Sequence, residues 1–201
     1  MREEKTGLNV ETLNIFPTTI WTFDLSHLAE YFESWIAVID EQKLADKKGH
    51  GRSSRNGWSG PKTLFEHEQF EALFMECEKA FTAALLSTGM PNEFGFALEA
   101  WANVHEKGGY NKLHIHGDSL LTGVFYLATP KGSGAISFID PRPGSYFSSN
   151  FGRHKSSKKE LQLEPAQGSL ILFPSWLQHS VEPHMADASR YSIAVNAINQ
   201  E

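Results

Sequence analysis

The spacing of apolar residues changes along the chain, from a helical period before residue 90 to a strand period after it. Two amphipathic helices are predicted, the first over 27–45 and the second beginning near Thr63, where Thr63 and Glu66 fit a capping box. The stripe of the first helix is Leu28, Phe32, Trp35, Ile36 and Ile39. The stripe of the second is Phe70, Leu73, Phe74, Cys77, Phe81 and Leu85, which makes Cys77 a core residue.

After residue 90, short β-prone runs alternate with turn residues. The predicted strands cover 94–104, 112–116, 120–128, 134–140, 160–164, 169–173, 179–183 and 191–198. Residues 12–25 are predicted to be extended, and the Gly- and Ser-rich segment 49–60 to be a loop. This order predicts an α+β, mainly β chain with a jelly roll or barrel. We expect one domain over 1–201, with an N-terminal strand and supporting helices in 12–90 and the β core in 94–199.

Composition narrows the class of protein. A length of 201 residues suits one domain, and a net charge of −6 disfavours a nucleic-acid partner. The charged N-terminus has no apolar leader, and no run of about 18 apolar residues predicts a membrane span. Cys77 is the single cysteine, so a reducing cytoplasm is the expected location. Nothing here decides whether the chain forms a homo-oligomer.

An H-x-D pair and two later polar residues interrupt the apolar pattern. They are His116 with Asp118, then His179 and Arg190. Two imidazoles and one carboxylate with open coordination positions are the ligand set of non-haem Fe(II) oxygenases. Gly117 allows the backbone to turn the carboxylate toward a metal held by His116. We therefore predict His116, Asp118 and His179 as metal ligands and, with Arg190, as the catalytic set.

His114 leaves alternatives open. It shares a strand face with His116, so His114, His116 and His179 form a second candidate ligand set with Asp118 outside it as a hydrogen-bond acceptor. In another arrangement, His114 points into the barrel and orients a cosubstrate. An isolated H-x-D pair is common by chance. The prediction of a metal site therefore depends on His179, which follows an apolar strand, and on Arg190 beyond it.

Arg190 is the predicted anchor for an anionic cosubstrate, because guanidinium binds carboxylate bidentately. Ser192 shares its strand face and supplies a hydroxyl donor, and Asn103, Tyr110 and Tyr126 are predicted to line the same pocket. Residues 141–159 form a basic segment that is either a solvated loop or a cationic lid over an anionic substrate. Its basic residues are Arg142, Arg153, His154, Lys155, Lys158 and Lys159.

Several motifs together resemble a known family. They are Trp-Ala-Asn at 101–103, Asn-x-x-His-x-His at 111–116, Leu-Thr-Gly-Val-Phe-Tyr-Leu at 121–127, the 168–179 run ending in Phe-Pro-Ser-Trp-Leu-x-His, and Arg-Tyr-Ser-Ile at 190–193. Phe-Pro-Thr at 16–18 and Asn-Gly-Trp at 56–58 also fit. The chain is similar to the putative 2-oxoglutarate/Fe(II)-dependent oxygenases of prokaryotes and phages. In that family the H-x-H pair is the more constant feature, which keeps His114 as the alternate ligand.

The resemblance implies a fold, two cofactors and a reaction. The fold is a double-stranded β-helix with helices packed on the outside. Fe(II) and the cosubstrate 2-oxoglutarate support oxidation, with hydroxylation expected, of an unidentified small molecule or protein side chain, releasing succinate and CO2. A cupin-like metal enzyme without 2-oxoglutarate, a small-ligand-binding jelly roll and a structural jelly roll are the competing hypotheses.

Overall fold

The computed structural model describes residues 11, 13, 15–142 and 159–200, which form two α-helices and nine strands. The helices are α1 (Phe32–Ala45) and α2 (Glu71–Ser87), with 3₁₀ turns at Ser26–Tyr31, Leu64–Glu66 and Glu68–Phe70. The strands are β1 (Trp21–Asp24), β2 (Ser54–Ser59), β3 (Phe96–His114), β4 (Leu121–Ala128), β5 (Ile136–Ile139), β6 (Glu160–Leu163), β7 (Ser169–Pro174), β8 (His179–Val181) and β9 (Arg190–Asn199).

The strands form one antiparallel sheet in the order β1-β7-β4-β9-β3-β8-β5-β6, with β2 paired to β3. The long strand β3 joins the two halves of this sheet. Its first part pairs with β9, up to His105 opposite Arg190. Its end pairs with β8, where His114 lies opposite His179. A single strand therefore pairs with the segments that carry Arg190 and His179, at positions nine residues apart.

Both helices cover the outer face of the β1-β7-β4-β9-β3 half. Side chains alternate between the faces of a strand, and the outward positions of β3, β4, β7 and β9 are apolar and buried. Gly123 marks a close approach, because an added Cβ would lie 3.1 Å from Cζ of Phe81 on α2. The predicted position of Cys77 in the core is confirmed. The buried cluster includes Trp35, Ile39, Leu73, Cys77, Phe81, Ala100, Ala102, Val104, Phe125, Leu172, Ile193, Val195 and Ala197.

The inner face of the same strands is mixed polar and apolar. Alternation places Asn103, Tyr126 and Ser192 on this face, and the register sets Ser192 opposite both Asn103 and Tyr126. Thr122 lies opposite Asn196 farther along β9. An apolar cluster fills the space between the sheet halves and contains Tyr126, Ile136, Phe138, Ile171, Phe173 and Leu177. The inward polar residues of β3, β4 and β9 thus face the same interior as this apolar cluster.

Three local predictions were wrong. The predicted loop 49–60 contains β2, which pairs with β3 along Ser54–Ser59. The predicted strands 94–104 and 112–116 are one strand, which continues through Gly108 at φ +82°. The capping box does not form, because Thr63 precedes a 3₁₀ turn without a side-chain cap and α2 begins at Glu71. In each case, tertiary pairing or packing outweighs the local sequence signal.

Two other predictions reach beyond what the structure tests. Residues 143–158 of the predicted basic lid, including Arg153, His154, Lys155 and Lys158, lie outside the described residues. At the edge of that segment, Arg142 donates hydrogen bonds to the Asp140 carboxylate at 2.9 and 2.7 Å. No helix in the described ranges is long and apolar enough to cross a membrane. The assignment of one domain to the whole chain stays a prediction.

Candidate active site

Three histidines meet where β3 ends and β8 begins. One ligand nitrogen from each of His114, His116 and His179 lies within 4.8 Å of the others. The β3–β8 register sets His114 opposite His179, with ring centroids 4.3 Å apart. His116 follows just after the strand, where its backbone N–H donates to Ser175 O at 2.9 Å. Strand pairing positions two of the rings and a loop hydrogen bond positions the third.

Each of the three rings uses Nδ1 for a hydrogen bond to a carbonyl oxygen. His114 Nδ1 lies 2.7 Å from Lys112 O, and His179 Nδ1 lies 2.9 Å from Leu177 O. His116 Nδ1 lies 2.9 Å from the side-chain oxygen Oδ1 of Asn196. A carbonyl oxygen only accepts, so each Nδ1 carries the proton and each Nε2 keeps its lone pair. The three rings therefore present Nε2 as the nitrogen that can ligate.

Burial keeps these rings neutral. It lowers the pKa of His116 to about 4 and that of His179 to about 3, and it also lowers the pKa of His114. The Phe173 ring packs edge-on against His179 at 4.6 Å, and Trp101 stacks on His116 at 5.8 Å. Neutral imidazole is the form that binds iron, zinc, copper or nickel. The donor set and its protonation state thus fit a divalent transition metal.

Asp118 lies apart from this cluster. It is exposed in a turn after His116, and it is not among the described metal-ligating groups that come within 4.8 Å of one another. The chain leaves the β-conformation after His114, so the alternation that would have aimed Asp118 inward stops before it reaches that residue. The preferred ligand set of His116, Asp118 and His179 is therefore not assembled here, whereas the alternative set with His114 is.

Arg190 forms the second polar centre, at the start of β9. It is 1% exposed, and its Nη1 donates to Ser133 O at 2.5 Å. Its Nε is buried without a hydrogen-bond partner, and none of the ion pairs among the described residues includes Arg190. A buried, unpaired cation is costly unless an anion joins it. The predicted inward position of Arg190 has the geometry of an anion-binding group.

Tyr126 accompanies this arginine. Its hydroxyl is buried and also lacks a hydrogen-bond partner. Burial raises the Tyr126 pKa well above its usual range, while the nearby Arg190 charge acts in the opposite direction. The phenol therefore stays protonated and available as a donor. Two buried donors without acceptors therefore lie in one region, and a bound carboxylate would accept hydrogen bonds from both.

The remaining predicted cosubstrate residues differ in burial and in the strand that they face. Ser192 is buried on β9 between Asn103 and Tyr126 in the register. Asn103 is buried too, and its Oδ1 accepts a hydrogen bond from Ser59 Oγ at 2.7 Å. Tyr110 is only half-buried and lies opposite Arg55 of β2. The structure thus places Ser192 and Asn103 on the inner face with Arg190 and sets Tyr110 toward the β2 edge.

Two buried residues of this interior were missed as site residues. His105 lies opposite Arg190, and burial together with the charges of Arg190 and His184 lowers its pKa to about 3. Asn196 contacts His116. Strand alternation could have predicted both as inward residues. His105 follows Trp101 and Asn103 at every second position of β3, and Asn196 lies an even number of residues after Arg190 and Ser192 on β9.

Comparisons with known proteins show similarity to one family and to several solved structures. Residues 99–196 match the family described as "Putative 2OG-Fe(II) oxygenase". No curated protein shows a significant match to the sequence. A prolyl-4-hydroxylase from Pseudomonas putida has a similar structure, with a TM-score of 0.64 and 14% identity over 92% of this chain and 94% of that one.

Two further structures were solved with ligands. HygX from Streptomyces hygroscopicus, with nickel and 2-oxoglutarate bound, gives a TM-score of 0.61 and 12% identity over 91% of this chain and 84% of that one. The epimerase SnoN, in complex with Fe3+, alpha ketoglutarate and nogalamycin RO, has a TM-score of 0.65 and 13% identity. The match covers 90% of this chain and 79% of that one. These likenesses confirm the predicted double-stranded β-helix with outer helices.

Proposed function

We propose that this chain is an Fe(II)- and 2-oxoglutarate-dependent oxidoreductase that holds its metal with three histidines. The match of residues 99–196 to the model of the 2OG-Fe(II) oxygenase family supports this proposal. The ligands are His114, His116 and His179 through Nε2. Three neutral imidazoles leave coordination positions open for a bidentate 2-oxoacid and for dioxygen. The match to the family favours iron among the metals that imidazole binds.

Arg190 is the proposed binding residue for the distal carboxylate of 2-oxoglutarate. Its buried guanidinium lacks a carboxylate partner among the described residues, and the Tyr126 hydroxyl beside it is unpaired. A dicarboxylate that reaches from the histidines toward β9 would satisfy both donors with its far end. The presence of this unpaired cation in the same interior as the histidines supports 2-oxoglutarate more directly than any other single observation.

The chain's own residues bind, orient and exclude water. His114, His116 and His179 hold the metal, Arg190 and Tyr126 hold the distal carboxylate, and Ser192 lies beside them as a further hydroxyl donor. The apolar wall of Ile171 and Phe173 keeps this interior dry, which strengthens each polar contact inside it. Bound iron and 2-oxoglutarate supply the oxidative decarboxylation to succinate and CO2 that drives oxidation of the substrate.

The substrate class is proposed more broadly. The solved relatives include the epimerase bound to nogalamycin RO and a Trichoplax adhaerens prolyl hydroxylase bound to a peptide fragment. We therefore keep a small molecule or a protein side chain as the substrate, with hydroxylation as the expected reaction. A net charge of −6 disfavours nucleic acid. The cytoplasmic location stays a prediction.

An anaerobic titration tests the cofactor assignment. Fe(II) is added to the purified chain, then 2-oxoglutarate, and visible absorption is recorded. A weak metal-to-ligand charge-transfer band is expected only when the 2-oxoacid chelates the bound iron, and succinate should form after air is admitted. Absence of the band in folded, iron-loaded protein would overturn the role of 2-oxoglutarate and favour a cupin-like metal enzyme.

A matched pair of variants tests the ligand set. His114→Ala should weaken Fe(II) binding by more than about 100-fold, beyond what the loss of an outer hydrogen-bonding partner costs. Asp118→Ala should bind Fe(II) as the wild type does, because its carboxylate lies in an exposed turn. Isothermal titration under nitrogen measures both affinities. The reverse order of effects would restore the ligand set of two histidines and one carboxylate.

A further inference from the structure

Asn196 contacts the histidine cluster from the inner face of β9. It is 4% exposed, and its Oδ1 lies 2.9 Å from His116 Nδ1. The same oxygen accepts a hydrogen bond from Thr122 Oγ1 at 3.0 Å. Two donors thus converge on one side-chain oxygen, which has two lone pairs to receive them. Strand pairing fixes this contact, because Thr122 lies opposite Asn196 in the β4–β9 register.

His116 differs from the other two rings in the nature of its partner. His114 and His179 donate to backbone carbonyls of Lys112 and Leu177, whose chemistry no substitution changes. His116 depends on a carboxamide, which has an oxygen on one side and an NH2 group on the other. If the amide were reversed, Nδ2 would donate to Nδ1, and the ring proton would have to move to Nε2. A protonated Nε2 cannot bind a metal.

We propose that Asn196 is a positioning residue that holds His116 in the Nδ1–H tautomer and thereby keeps its Nε2 open to the metal. The inference rests on the proposed three-histidine site. Thr122 supports the required orientation by donating to the same oxygen. A reversed amide would require an acceptor at both His116 Nδ1 and Thr122 Oγ1, so the orientation in the structure, with Oδ1 toward both atoms, goes with the Nδ1–H tautomer. The identity of residue 196 therefore controls one of the three ligands.

The direct test reads the tautomer in the metal-free protein. With ¹⁵N-labelled histidine, long-range proton–nitrogen NMR spectra distinguish an Nδ1–H ring from an Nε2–H ring. The wild type should show the His116 ring as Nδ1–H, assigned by its loss in His116→Gln. Asn196→Leu, which keeps the shape and removes the acceptor, should give a mixture at that ring alone. An unchanged His116 tautomer in Asn196→Leu would overturn the proposal.

Asn196→Asp is the matched control, because a carboxylate accepts hydrogen bonds but does not donate them. It should retain the pure Nδ1–H form of His116, and it keeps the test decisive if Asn196→Leu fails to fold. An Asn196→Asp protein with a shifted tautomer would contradict the proposal. Thr122→Val should give a smaller admixture of the Nε2–H form, since the amide loses one of the two donors that orient it.

The Fe(II) affinity of the same variants is a second test of the role of Asn196. Anaerobic Fe(II) titration should show a 10- to 100-fold loss in Asn196→Leu, the range that partners of ligating histidines cost, and no loss in Asn196→Asp. Equal losses in both variants would overturn the proposal. The two conclusions are separable: a wild type that binds no Fe(II) defeats the three-histidine site, whereas the metal-free spectra still decide whether Asn196 sets the tautomer.

Discussion

The two polar centres of the barrel interior differ in how completely the fold satisfies them. At the histidine end, all three Nδ1–H groups donate to oxygen and the Nε2 atoms keep their lone pairs, with Ser53 Oγ 3.4 Å from Nε2 of His114. At the arginine end, a buried cation keeps an unpaired Nε beside an unpaired Tyr126 hydroxyl. The first centre is neutral and nearly complete without a ligand, and the second carries a charge that nothing in the described chain balances.

This contrast indicates which ligand should stabilise the fold more. An unpaired buried charge costs more than an unpaired neutral acceptor. Filling the arginine end therefore relieves a larger penalty, whereas filling the histidine end adds ligand bonds to rings that are already oriented. We expect the anion to change stability and order, and the metal to bind a site that changes little.

The largest expected effect comes from removing the cation. Arg190→Met should weaken binding of 2-oxoglutarate to the Fe(II)-loaded protein by about 2–5 kcal/mol, as for loss of one partner of a buried charge pair. It should leave Fe(II) binding alone unchanged. The free energy of unfolding without ligands should rise by about 1–4 kcal/mol, because an uncompensated buried charge is gone. Calorimetric titration and urea unfolding measure these quantities.

Arg142→Met is the matched control, since this arginine bonds the Asp140 carboxylate and is exposed. It should leave 2-oxoglutarate affinity unaltered. If Arg190→Met lowered stability and kept 2-oxoglutarate binding, the guanidinium would be a structural group satisfied by the fold, and the contrast between the two ends would fail.

Acid should destabilise the folded chain through its buried, neutral histidines. Burial lowers the pKa of His105 to about 3, of His116 to about 4 and of His179 to about 3. Below about 6.5 the unfolded chain takes up protons at these rings and the folded chain does not, so stability falls as pH falls from about 6.5 toward the folded pKa values. From pH 6.5 to 5.5 the three rings together should cost roughly 3 kcal/mol.

Urea unfolding of the metal-free protein across that range measures the slope. Saturating divalent metal should raise stability at every pH in this range without flattening the slope, because the folded rings carry almost no protons with or without metal and the unfolded chain takes them up. Stability that stays constant between pH 6.5 and 5.5 would mean that the rings are accessible to protons in the folded chain, against the burial that the structure gives them.

The sequence predicted the fold well and left two candidate ligand sets for the metal, for a physical reason. The period-2 runs of β4, β7 and β9 are long enough to define their faces, so the inward positions of Arg190 and Ser192 followed from alternation. Which of His114 and Asp118 points toward the other two histidines depends on where β3 ends, and the strand ends at His114, four residues before Asp118. That end is set by pairing with β8, a contact between distant segments that no local pattern encodes.

The strand β2 and the residue Asn196 show two further limits. Ser54–Ser59 is rich in turn-forming residues, and it is a strand because β3 supplies its hydrogen bonds. Asn196 was visible as an inward polar position, but its role depends on the distance to one ring nitrogen. Alternation predicts which face a side chain occupies and says nothing about which atom it meets.

The smallest expected effect separates ligand binding from folding at the arginine end. Tyr126→Phe removes a hydroxyl that has no partner in the fold, so the free energy of unfolding without ligands should not fall. Affinity for 2-oxoglutarate should drop by about 1 kcal/mol, the net worth of one hydrogen bond. Loss of stability with unchanged affinity would show that the phenol serves the core instead. Because Arg190→Met and Tyr126→Phe remove neighbouring donors to one carboxylate, the double variant should lose less affinity than the sum of the two single losses. A strictly additive result would place the two groups on different partners.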